Sequence, residues 1–320
     1  MEYRVLGKTG LKVSTIGFGT WAIGGNMWGP QNDNDSIAAL NKAIDLGVNF
    51  IDTALAYGNG HSEKIIGSVL KARKEKIYLA TKIPPLSWPP PPDSHSKDAF
   101  PKEKIIESVE TSLRNLSVDC IDLIQLHSWR KNWTNDLEWY ETLCKFKDQG
   151  KIKYIGVSVH DNMEDEALGL IETGRIDTIQ VVYNVLAQTP RNNLFPKAQK
   201  HNIGIIARVP LAYGALTGKF TPNTVFADND FRKNKYTGNG LKEVLEKVER
   251  FKRIAESNDK KNLVSNALHF VLSHPTISTT IPGIRNAKQA EENCNIFNKN
   301  DLILEKTLTE LNDFSIQKTY

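Results

Sequence analysis

Four residues whose types suit acid–base chemistry follow three short apolar runs in the sequence. The run Val48–Ile51 leads into Asp52, with Tyr57 five residues further on, and two other runs end at Lys82 and His127. Short, continuously apolar runs are typical of strands buried in a parallel sheet. In α/β barrels the ends of such strands form one common mouth, where catalytic groups lie. We therefore expect a carboxylate, a phenol, an amine and an imidazole to meet at one place.

This set of groups suits proton donation to a carbonyl oxygen. A phenol titrates near a pH of about 10 in water, which is too high for an efficient acid at neutral pH. A cation packed beside the phenol lowers its pKa, and a buried carboxylate keeps that cation charged and oriented. We expect Tyr57 to be the general acid, Lys82 the cation and Asp52 its partner. His127 would donate a hydrogen bond to the substrate oxygen. None of these side chains supplies electrons, so a hydride donor must bind beside them.

Each of the four residues also has an ordinary structural explanation when it is taken alone. Asp52 could cap a turn, and Tyr57 could lie on a surface loop. Lys82 could be a solvated strand end, and His127 a structural histidine with satisfied hydrogen bonds. Their joint placement at the ends of consecutive strands favours the catalytic interpretation. A different chemistry stays open, in which Lys82 forms the Schiff base of a lyase or isomerase on a generic (α/β)8 barrel.

Strand-like and helical segments alternate along most of the chain. Such alternation predicts a parallel sheet, and eight units favour closure into a single (α/β)8 TIM barrel, which we expect to form one domain over residues 1–320. A hairpin around Gly7–Gly10 precedes the barrel, and an extra C-terminal helix is expected at Leu302–Phe314. The predicted strands are 16–22, 48–51, 77–81, 121–126, 154–158, 178–183, 204–209 and 278–281. The predicted helices are 36–46 with Asp35 as N-cap, 62–72, 105–116, 137–146, 163–171, 192–200, 241–256 with 263–272, and 287–293.

Two segments need a separate interpretation. Residues 17–22 contain the letters of a dinucleotide fingerprint, Gly-x-Gly-x-x-Ala. Glycine and proline in residues 23–30 break the chain where the phosphate-binding helix should begin, so we expect a first barrel strand here and no Rossmann fold. Residues 84–101 interrupt the alternation, and the run Pro-Pro-Leu-Ser-Trp-Pro-Pro-Pro-Pro-Asp at 84–93 cannot form a helix. We expect them to form a long ordered loop at the mouth of the barrel, because the alternation resumes after them.

Composition narrows the class of protein. The formal net charge is +4, from 41 basic and 37 acidic side chains, so no large field indicates nucleic acid or a membrane as a partner. No secretion signal or membrane-spanning run is visible, and we expect a cytoplasmic protein. Cys120, Cys144 and Cys294 lack metal or disulfide spacing, so we expect reduced thiols and no metal site.

Five motifs together resemble the aldo-keto reductase superfamily, in particular its bacterial-type members. They are Phe-Ile-Asp-Thr-Ala-x-x-Tyr-Gly at 50–58, Leu-Ala-Thr-Lys at 79–82, Ile-Asp-Leu-Ile-Gln-Leu-His at 121–127, Tyr-Ile-Gly-Val-Ser at 154–158 and Ile-Pro-Gly-Ile-Arg at 281–285. Their order and spacing match from Val5 to Phe297. The resemblance implies an (α/β)8 barrel with the hairpin across its floor, and NADP(H)-dependent reduction of an aldehyde, ketone or ketosugar. It also implies the four acid–base residues in the roles given above.

The resemblance further implies a cofactor site at the barrel mouth. Gly19, Thr20, Trp21 and Asp52 would lie near the nicotinamide, Ser158 and Gln180 would hold its carboxamide, and the guanidinium of Arg208 would stack on the ring. The loop after the seventh strand would cover the pyrophosphate, and the last strand end and its helix would bind the adenosine. The residues assigned to these two segments are Val209, Pro210, Leu211, Ala212, Gly214, Leu216, Gly218 and Lys219, and Gly283, Arg285, Gln289, Glu292 and Asn293.

Two positions bear on how tightly this cofactor would bind. Arg285 would face a 2′-phosphate, so the resemblance favours NADP(H) over NAD(H). Many members of the superfamily have asparagine after the serine of the fifth-strand motif, whereas this chain has Val159 followed by His160. We expect weaker cofactor binding at this point and retained activity.

The substrate is less defined than the reaction. Trp21, Trp28, Trp88 and Trp129 fall in or beside mouth loops, where aromatic walls suit aldehydes, ketones, sugars or ring compounds alike. The proline-rich loop is the expected specificity loop. The physiological substrate, the direction of the reaction and the oligomeric state stay open. One further alternative is an NADP(H)-binding sensor or ion-channel auxiliary subunit on the same barrel, with little turnover.

Overall fold

An eight-stranded parallel sheet forms the centre of the molecule, with its strands in sequence order. The computed structural model describes residues 1–25, 27–256, 262–297 and 305–312. An antiparallel N-terminal hairpin precedes the sheet, so the expected barrel and hairpin are both confirmed. The hairpin strands are β1 (Tyr3–Val5) and β2 (Lys12–Ser14), and the barrel strands are β3 (Phe18–Gly19), β4 (Phe50–Asp52), β5 (Tyr78–Ile83), β6 (Ile121–Leu126), β7 (Ile152–Ser158), β8 (Thr178–Val182), β9 (Gly204–Arg208) and β10 (Ile277–Ile281).

The barrel closes between its first and last strands. Gly19 forms a parallel bridge with Gly283, and the Gly17 amide donates to the Thr280 carbonyl at 2.8 Å. A Cβ atom on Gly19 would lie 2.5 Å from the Ile281 carbonyl oxygen, so closure at this point requires glycine. The first strand is shorter than the expected 16–22, because the chain turns into a 3-10 helix at Trp21–Ile23.

Helices surround the sheet, and a few of their boundaries differ from those expected. Asn32, and not Asp35, caps the first helix, because its side chain accepts a hydrogen bond from the Asn34 amide at 2.8 Å. The predicted helix 163–171 is a 3-10 turn followed by a short α-helix, and residues 302–304 and 313–314 of the predicted last helix lie outside the described residues. The helices are α1 (Asp33–Asp45), α2 (His61–Leu70), α3 (Ser96–Ala99), α4 (Lys102–Leu116), α5 (Glu138–Asp148), α6 (Leu168–Glu172), α7 (Leu194–Lys200), α8 (Arg232–Lys235), α9 (Gly240–Glu256), α10 (Leu263–Ser273), α11 (Ala287–Cys294) and α12 (Glu305–Asn312).

None of the helices in the described part of the chain is both long enough and apolar enough to cross a membrane.

The N-terminal hairpin closes the end of the barrel from which the strands start. Leu6 and Val13 are fully buried and pack against the side chains that fill the barrel interior. The Tyr154 hydroxyl, from β7, donates to the Thr9 carbonyl at 2.6 Å and ties the hairpin turn to the barrel. The hairpin therefore seals one end, and a cavity lies at the opposite end, at the carboxyl ends of the strands.

The seal predicts a measurable contribution of Leu6 to stability. We expect Leu6→Ala to lower the free energy of unfolding by about 2–5 kcal/mol, because it leaves a cavity in a closed core. The neighbouring Val5 is 56% exposed, so Val5→Ala should change the same quantity by less than about 0.5 kcal/mol. Denaturant unfolding of both variants measures the difference. Equal effects would show that the hairpin does not pack as a plug.

Candidate active site

A cavity of about 590 Å³ opens at the carboxyl ends of the barrel strands. Three of the four expected acid–base residues, Asp52, Tyr57 and His127, line it. Lys82 lies directly behind Tyr57 and is fully buried. The strand ends thus bring together the four residues that the sequence predicted would meet.

Lys82 and Asp52 form a buried ion pair in which every donor of the ammonium group is used. Lys82 Nζ donates to Asp52 Oδ2 at 2.6 Å, to the Thr53 carbonyl at 2.8 Å and to the Tyr57 hydroxyl at 3.2 Å. Burial lowers the pKa of Lys82, but Asp52 and Tyr57 outweigh it, and the pKa lies above its ordinary value. The amine is therefore charged and aimed at the phenol.

Two glutamine side chains hold the other oxygen of Asp52. Gln180 Nε2 donates to Asp52 Oδ1 at 2.7 Å, and Gln125 Nε2 donates to the same atom at 3.2 Å. The Lys82 ammonium occupies Oδ2, so both oxygens of this buried carboxylate are hydrogen-bonded. A buried charge is tolerated when all of its hydrogen-bonding positions have partners.

The pKa of Tyr57 corrects one expectation from the sequence. Lys82 does act to lower the pKa of the phenol, as expected, but burial acts in the opposite direction and is the larger effect. The pKa of Tyr57 therefore lies above its ordinary value. The phenol keeps its proton throughout the neutral range, so it is present as an acid and not as a phenolate.

His127 lies across the cavity wall from the phenol. Its ring centroid is 5.7 Å from that of Tyr57 and 4.6 Å from that of Trp88. Burial, with smaller contributions from Lys82 and Arg208, lowers the pKa of His127 well below its ordinary value. The imidazole is therefore neutral near pH 7, and it can donate a hydrogen bond without carrying a charge.

A second charged network, which the sequence did not predict in full, surrounds Arg208. Arg208 Nη2 donates to Asp161 Oδ1 and to the Val159 carbonyl, both at 2.8 Å, and the Tyr213 hydroxyl donates to Asp161 Oδ2 at 2.5 Å. Burial raises the pKa of Asp161, but Arg208 and Tyr213 outweigh it and the net direction is downward. Asp161 and Tyr213 both line the cavity. No local pattern marks these two residues, because they lie in different loops.

Aromatic rings form another part of the cavity wall, next to Tyr213 of this network. Trp21 stacks on Phe231 at 4.8 Å, Trp28 packs edge-on against both rings, and Trp88 contributes the outer rim. Phe231, from the segment that follows the seventh barrel strand, supports Trp21 and Trp28 without lining the cavity itself, and it was not among the predicted residues. The wall is therefore largely apolar, as small-molecule cavities usually are.

The prediction of Trp129 as a substrate residue is wrong. Its side chain is fully buried and packs edge-on against Trp133 and Trp139, with ring centroids 5.8 and 5.4 Å away. It does not line the cavity. The chain after β6 directs this side chain into the core between the barrel and its helices, where a large ring gains more from burial than it would at the rim.

The cofactor residues predicted from the resemblance divide into two groups. Many of them line the cavity: Gly19, Thr20, Trp21, Asp52, Ser158, Gln180, Arg208, Val209, Pro210, Leu211 and Gly283. The others lie outside its lining: Ala212, Gly214, Leu216, Gly218, Lys219, Arg285, Gln289, Glu292 and Asn293. The first group contains all the residues predicted at the nicotinamide together with the start of the pyrophosphate loop and Gly283, and the second contains the rest of the predicted pyrophosphate and adenosine residues.

Arg285, which was expected to face a 2′-phosphate, makes contacts within the protein. Its Nε donates to Gln31 Oε1 at 2.7 Å, and its Nη2 donates to the Pro30 carbonyl. Its own backbone amide donates to Gln289 Oε1 at 2.9 Å. The loop before α1 is therefore tied to the end of β10 through this guanidinium.

The proline-rich loop is ordered by contacts with the segment that follows β6. Arg130 Nη2 donates to the Pro90 carbonyl at 2.6 Å, and Trp133 Nε1 donates to the Ser94 carbonyl, also at 2.6 Å. Trp88 is held at the cavity by this loop, half-exposed, with its ring against His127. The loop therefore contributes one wall of the cavity, as the sequence predicted.

Comparison with known proteins places these features in a family. The Aldo/keto reductase family model matches residues 15–311. The aldo-keto reductase YhdN of Bacillus subtilis is 34% identical to this chain, over 91% of this chain and 87% of that protein. A probable voltage-gated potassium channel subunit beta of Arabidopsis thaliana is 32% identical, over 92% and 90%. The NADH-specific methylglyoxal reductase of Escherichia coli is 29% identical, over 92% and 93%.

A solved structure extends the likeness to three dimensions. The glycerol dehydrogenase of Gluconobacter oxydans superimposes with a TM-score of 0.81 at 29% identity, covering 100% of this chain and 98% of that one. The similarity thus extends over the whole barrel and its loops.

The buried ion pair predicts an unusual pattern of stability. Asp52→Ala leaves the Lys82 ammonium buried without its partner, and we expect the free energy of unfolding to fall by about 3–5 kcal/mol. The double variant Asp52→Ala/Lys82→Met removes the stranded charge and should be more stable than Asp52→Ala alone. Denaturant unfolding compares the two.

A surface pair provides the control for this comparison. Lys233 and Asp228 are both exposed and lie 2.6 Å apart, so Lys233→Met should change the free energy of unfolding by about 1 kcal/mol or less. A double variant less stable than Asp52→Ala would contradict the importance of the unpaired charge.

Proposed function

The chain belongs to the aldo/keto reductase family, and we propose that it reduces the carbonyl group of a small molecule to an alcohol with NADP(H) as the hydride source. The observation that carries the proposal is the contact of a protonated, half-buried phenol, Tyr57, with the ammonium group of Lys82 at 3.2 Å, at the edge of a cavity. Two similar proteins, the methylglyoxal reductase of Escherichia coli and the glycerol dehydrogenase of Gluconobacter oxydans, support a small, oxygen-rich substrate.

The proposed mechanism assigns proton donation to Tyr57. As a substrate carbonyl oxygen gains negative charge, the Tyr57 hydroxyl gives it a proton and Lys82 stabilises the phenolate that is left. Asp52 keeps Lys82 charged and in position throughout. His127, which is neutral, hydrogen-bonds the same substrate oxygen and orients the carbonyl. The nicotinamide, when bound, supplies the hydride.

The cavity wall fits a nicotinamide cofactor. Gln180 has its amide nitrogen committed to Asp52, so its carbonyl oxygen is the atom left to accept a hydrogen bond from a carboxamide. The loop after β9 is strained, with φ of 57° at Val209, 46° at Ala212 and 56° at Tyr213. Left-handed backbone in residues other than glycine costs on the order of 1–3 kcal/mol each and concentrates at functional sites. This strain supports the loop as the segment that would cover the pyrophosphate.

A preference for NADP(H) over NAD(H) is part of the proposal. Burial lowers the pKa of Arg285, with a smaller contribution from Arg232, whose own guanidinium is paired with Asp230 at 2.5 Å. The guanidinium of Arg285, at the predicted adenosine end, would suit a 2′-phosphate. The family includes a relative that is NADH-specific, so this preference is a property of individual members. Parallel assays with NADPH and NADH measure it directly.

The two alternatives from the sequence have different support. A Schiff base on Lys82 requires a neutral amine with a free face, whereas this amine is charged, fully buried and bonded to three acceptors. A role as an NADP(H)-binding auxiliary subunit is favoured by the similarity to a probable potassium channel subunit beta. Measured turnover of a carbonyl substrate distinguishes this role from the reductase role.

The reductase role predicts the effect of removing one hydroxyl group. We expect Tyr57→Phe to lower kcat for carbonyl reduction by about 100-fold or more, because the general acid is lost while the ring and its packing stay. Loss of the absorbance of reduced nicotinamide, measured over a panel of aldehydes, ketones and ketosugars, gives the rate.

Tyr154→Phe is the matched control, since that hydroxyl binds the hairpin at the other end of the barrel. A Tyr57→Phe variant with the wild-type rate would exclude Tyr57 as the acid. A wild-type protein that binds NADPH and reduces nothing on the panel would favour the auxiliary-subunit role.

The cofactor site predicts that two neighbouring glutamines behave differently. Gln180 and Gln125 both hydrogen-bond Asp52, but only Gln180 lines the cavity. We expect Gln180→Ala to raise the Kd for NADPH by about tenfold, or about 1.4 kcal/mol, and Gln125→Ala to change it by about threefold or less. Quenching of tryptophan fluorescence by NADPH measures both constants. Equal changes would show that the effect is transmitted through Asp52 and is not a direct contact.

A further inference from the structure

Glu63 is a buried carboxyl group to which the reduction mechanism gives no task. It lies in the first turn of α2, a few residues after Tyr57, and no part of it is exposed. Its Oε1 accepts a hydrogen bond from the Thr81 hydroxyl at 2.7 Å, and its Oε2 accepts one from the Asn115 side-chain amide at 2.9 Å. In the part of the chain that the structure describes, it forms no ion pair. Burial of a carboxyl group without a cation is costly, so this position must serve a purpose that outweighs the cost.

Two glycines bring α2 close enough to α4 for this arrangement. A Cβ atom on Gly60 would lie 2.4 Å from Asn115 Nδ2. One on Gly67 would lie 2.7 Å from the carbonyl oxygens of Asn115 and Leu116. Larger residues at either place would push the helix away from the end of α4. With Asn115 on one oxygen of Glu63, the other oxygen is directed towards β5.

Thr81 is the residue before Lys82 on β5. Successive side chains of a strand point to opposite faces, so Lys82 reaches into the barrel and Thr81 faces the helices outside. Both side chains are fully buried. Glu63 therefore holds, from outside the barrel, the strand residue that adjoins the ammonium group of the site.

A second path leads from Glu63 back to the phenol. Ser62, its neighbour in the chain, donates from its amide to the Tyr57 carbonyl at 3.3 Å. The Tyr57 hydroxyl in turn contacts Lys82 Nζ at 3.2 Å. Together with the bond to Thr81, these contacts close a ring that contains the phenol and the ammonium group. The bond between Glu63 and Thr81 is the link of this ring that lies outside the barrel.

We propose that Glu63 is a positioning residue that fixes the distance between the Tyr57 hydroxyl and the Lys82 ammonium group through its bond to Thr81. This inference rests on the proposed reductase function. Lys82 stabilises the developing phenolate by an amount that depends on this distance, because a charge interaction weakens with separation. A displacement of the loop therefore slows proton donation. It leaves the binding of substrate and cofactor largely unchanged, since Glu63 does not line the cavity.

A purely structural role for Glu63 is the alternative. The loop that carries Tyr57 has other attachments. The Thr53 and Ser62 hydroxyl groups lie 2.9 Å apart, and the Thr53 carbonyl accepts a hydrogen bond from Lys82 Nζ at 2.8 Å. If these contacts alone held the phenol, loss of Glu63 would lower the free energy of unfolding and leave kcat unchanged. The kinetics of folded variants therefore separate the two roles.

The experiment measures kcat and KM with NADPH and the member of the carbonyl panel that the wild-type protein reduces fastest. We expect Glu63→Ala to lower kcat by about tenfold and to change KM and the Kd for NADPH by about threefold or less. Glu63→Gln should keep kcat within about threefold of the wild type. Its amide nitrogen can donate to the Thr81 hydroxyl, which also accepts, and its oxygen can accept from Asn115.

Substitutions at the other end of the bond repeat the test. Thr81→Val removes the hydroxyl with little change of shape and should lower kcat as Glu63→Ala does. Thr81→Ser, which keeps the hydroxyl, should not. This pair also serves should Glu63→Ala not fold. Leu6→Ala, in the hairpin at the opposite end of the barrel, controls for a loss of stability alone and should keep kcat within about twofold of the wild type.

Four results would overturn the inference. Two of them are a wild-type kcat in both Glu63→Ala and Thr81→Val, and a Kd for NADPH that rises as much as kcat falls. The third is an equal loss of kcat in Leu6→Ala. The fourth is an equal loss in Glu63→Gln, which would show that the negative charge matters and the hydrogen bond to Thr81 does not.

In all four, turnover by the wild-type protein leaves the reductase function standing. A wild-type protein that reduces nothing on the panel with NADPH or NADH overturns the proposed function itself, and this inference with it.

Discussion

The buried ion pair of Lys82 and Asp52 is the constraint on which the geometry of the cavity depends. Desolvation of a charged pair costs several kcal/mol per ion, and this cost is offset only when every donor and acceptor finds a partner at a fixed position. Strand register supplies those positions, because Lys82 pairs with Gln125 across β5 and β6. A slip of one residue would turn either side chain to the opposite face of its strand. The pair therefore requires the barrel in one register.

The same pair determines how the phenol could work as an acid. Burial raises the pKa of Tyr57 and keeps the group protonated, but a very weak acid gives up its proton reluctantly. Lys82 reduces the cost of losing the proton, because its charge stabilises the phenolate only once the proton has left. An interaction that strengthens along the reaction lowers the barrier, whereas one that is equally strong at the start does not. The low polarity of the surrounding rings increases the benefit.

The sequence predicted those features whose cause is local. Most barrel strands are rich in buried apolar residues, and Asp52, Lys82 and His127 stand at or next to the ends of their strands, so position in the chain implied position in space. Contacts between loops have no such signal. Asp161 and Tyr213 meet although they are 52 residues apart. Trp129 shows the converse error: it lies two residues after His127, but nearness in sequence did not determine the direction of its side chain, and packing against Trp133 did.

The barrel strands and the loops therefore position the residues of the proposed function through different interactions. The strand ends carry buried charges whose displacement would leave ions unpaired, so their positions allow little variation. The aromatic wall is joined by weaker contacts, such as the hydrogen bond from the Phe231 amide to the Met27 carbonyl and the bridge between Trp28 and Asp230. Substitutions in this wall can therefore change the shape of the cavity without disturbing Lys82. The two sets meet at two points, since Trp21 stacks on Tyr57 with ring centroids 6.1 Å apart and Trp88 lies edge-on to His127 at 4.6 Å. Substitutions at these two tryptophans should therefore couple to the acid–base residues, whereas those elsewhere in the wall should be nearly additive with them. A family built this way can vary its substrates while keeping one acid–base arrangement.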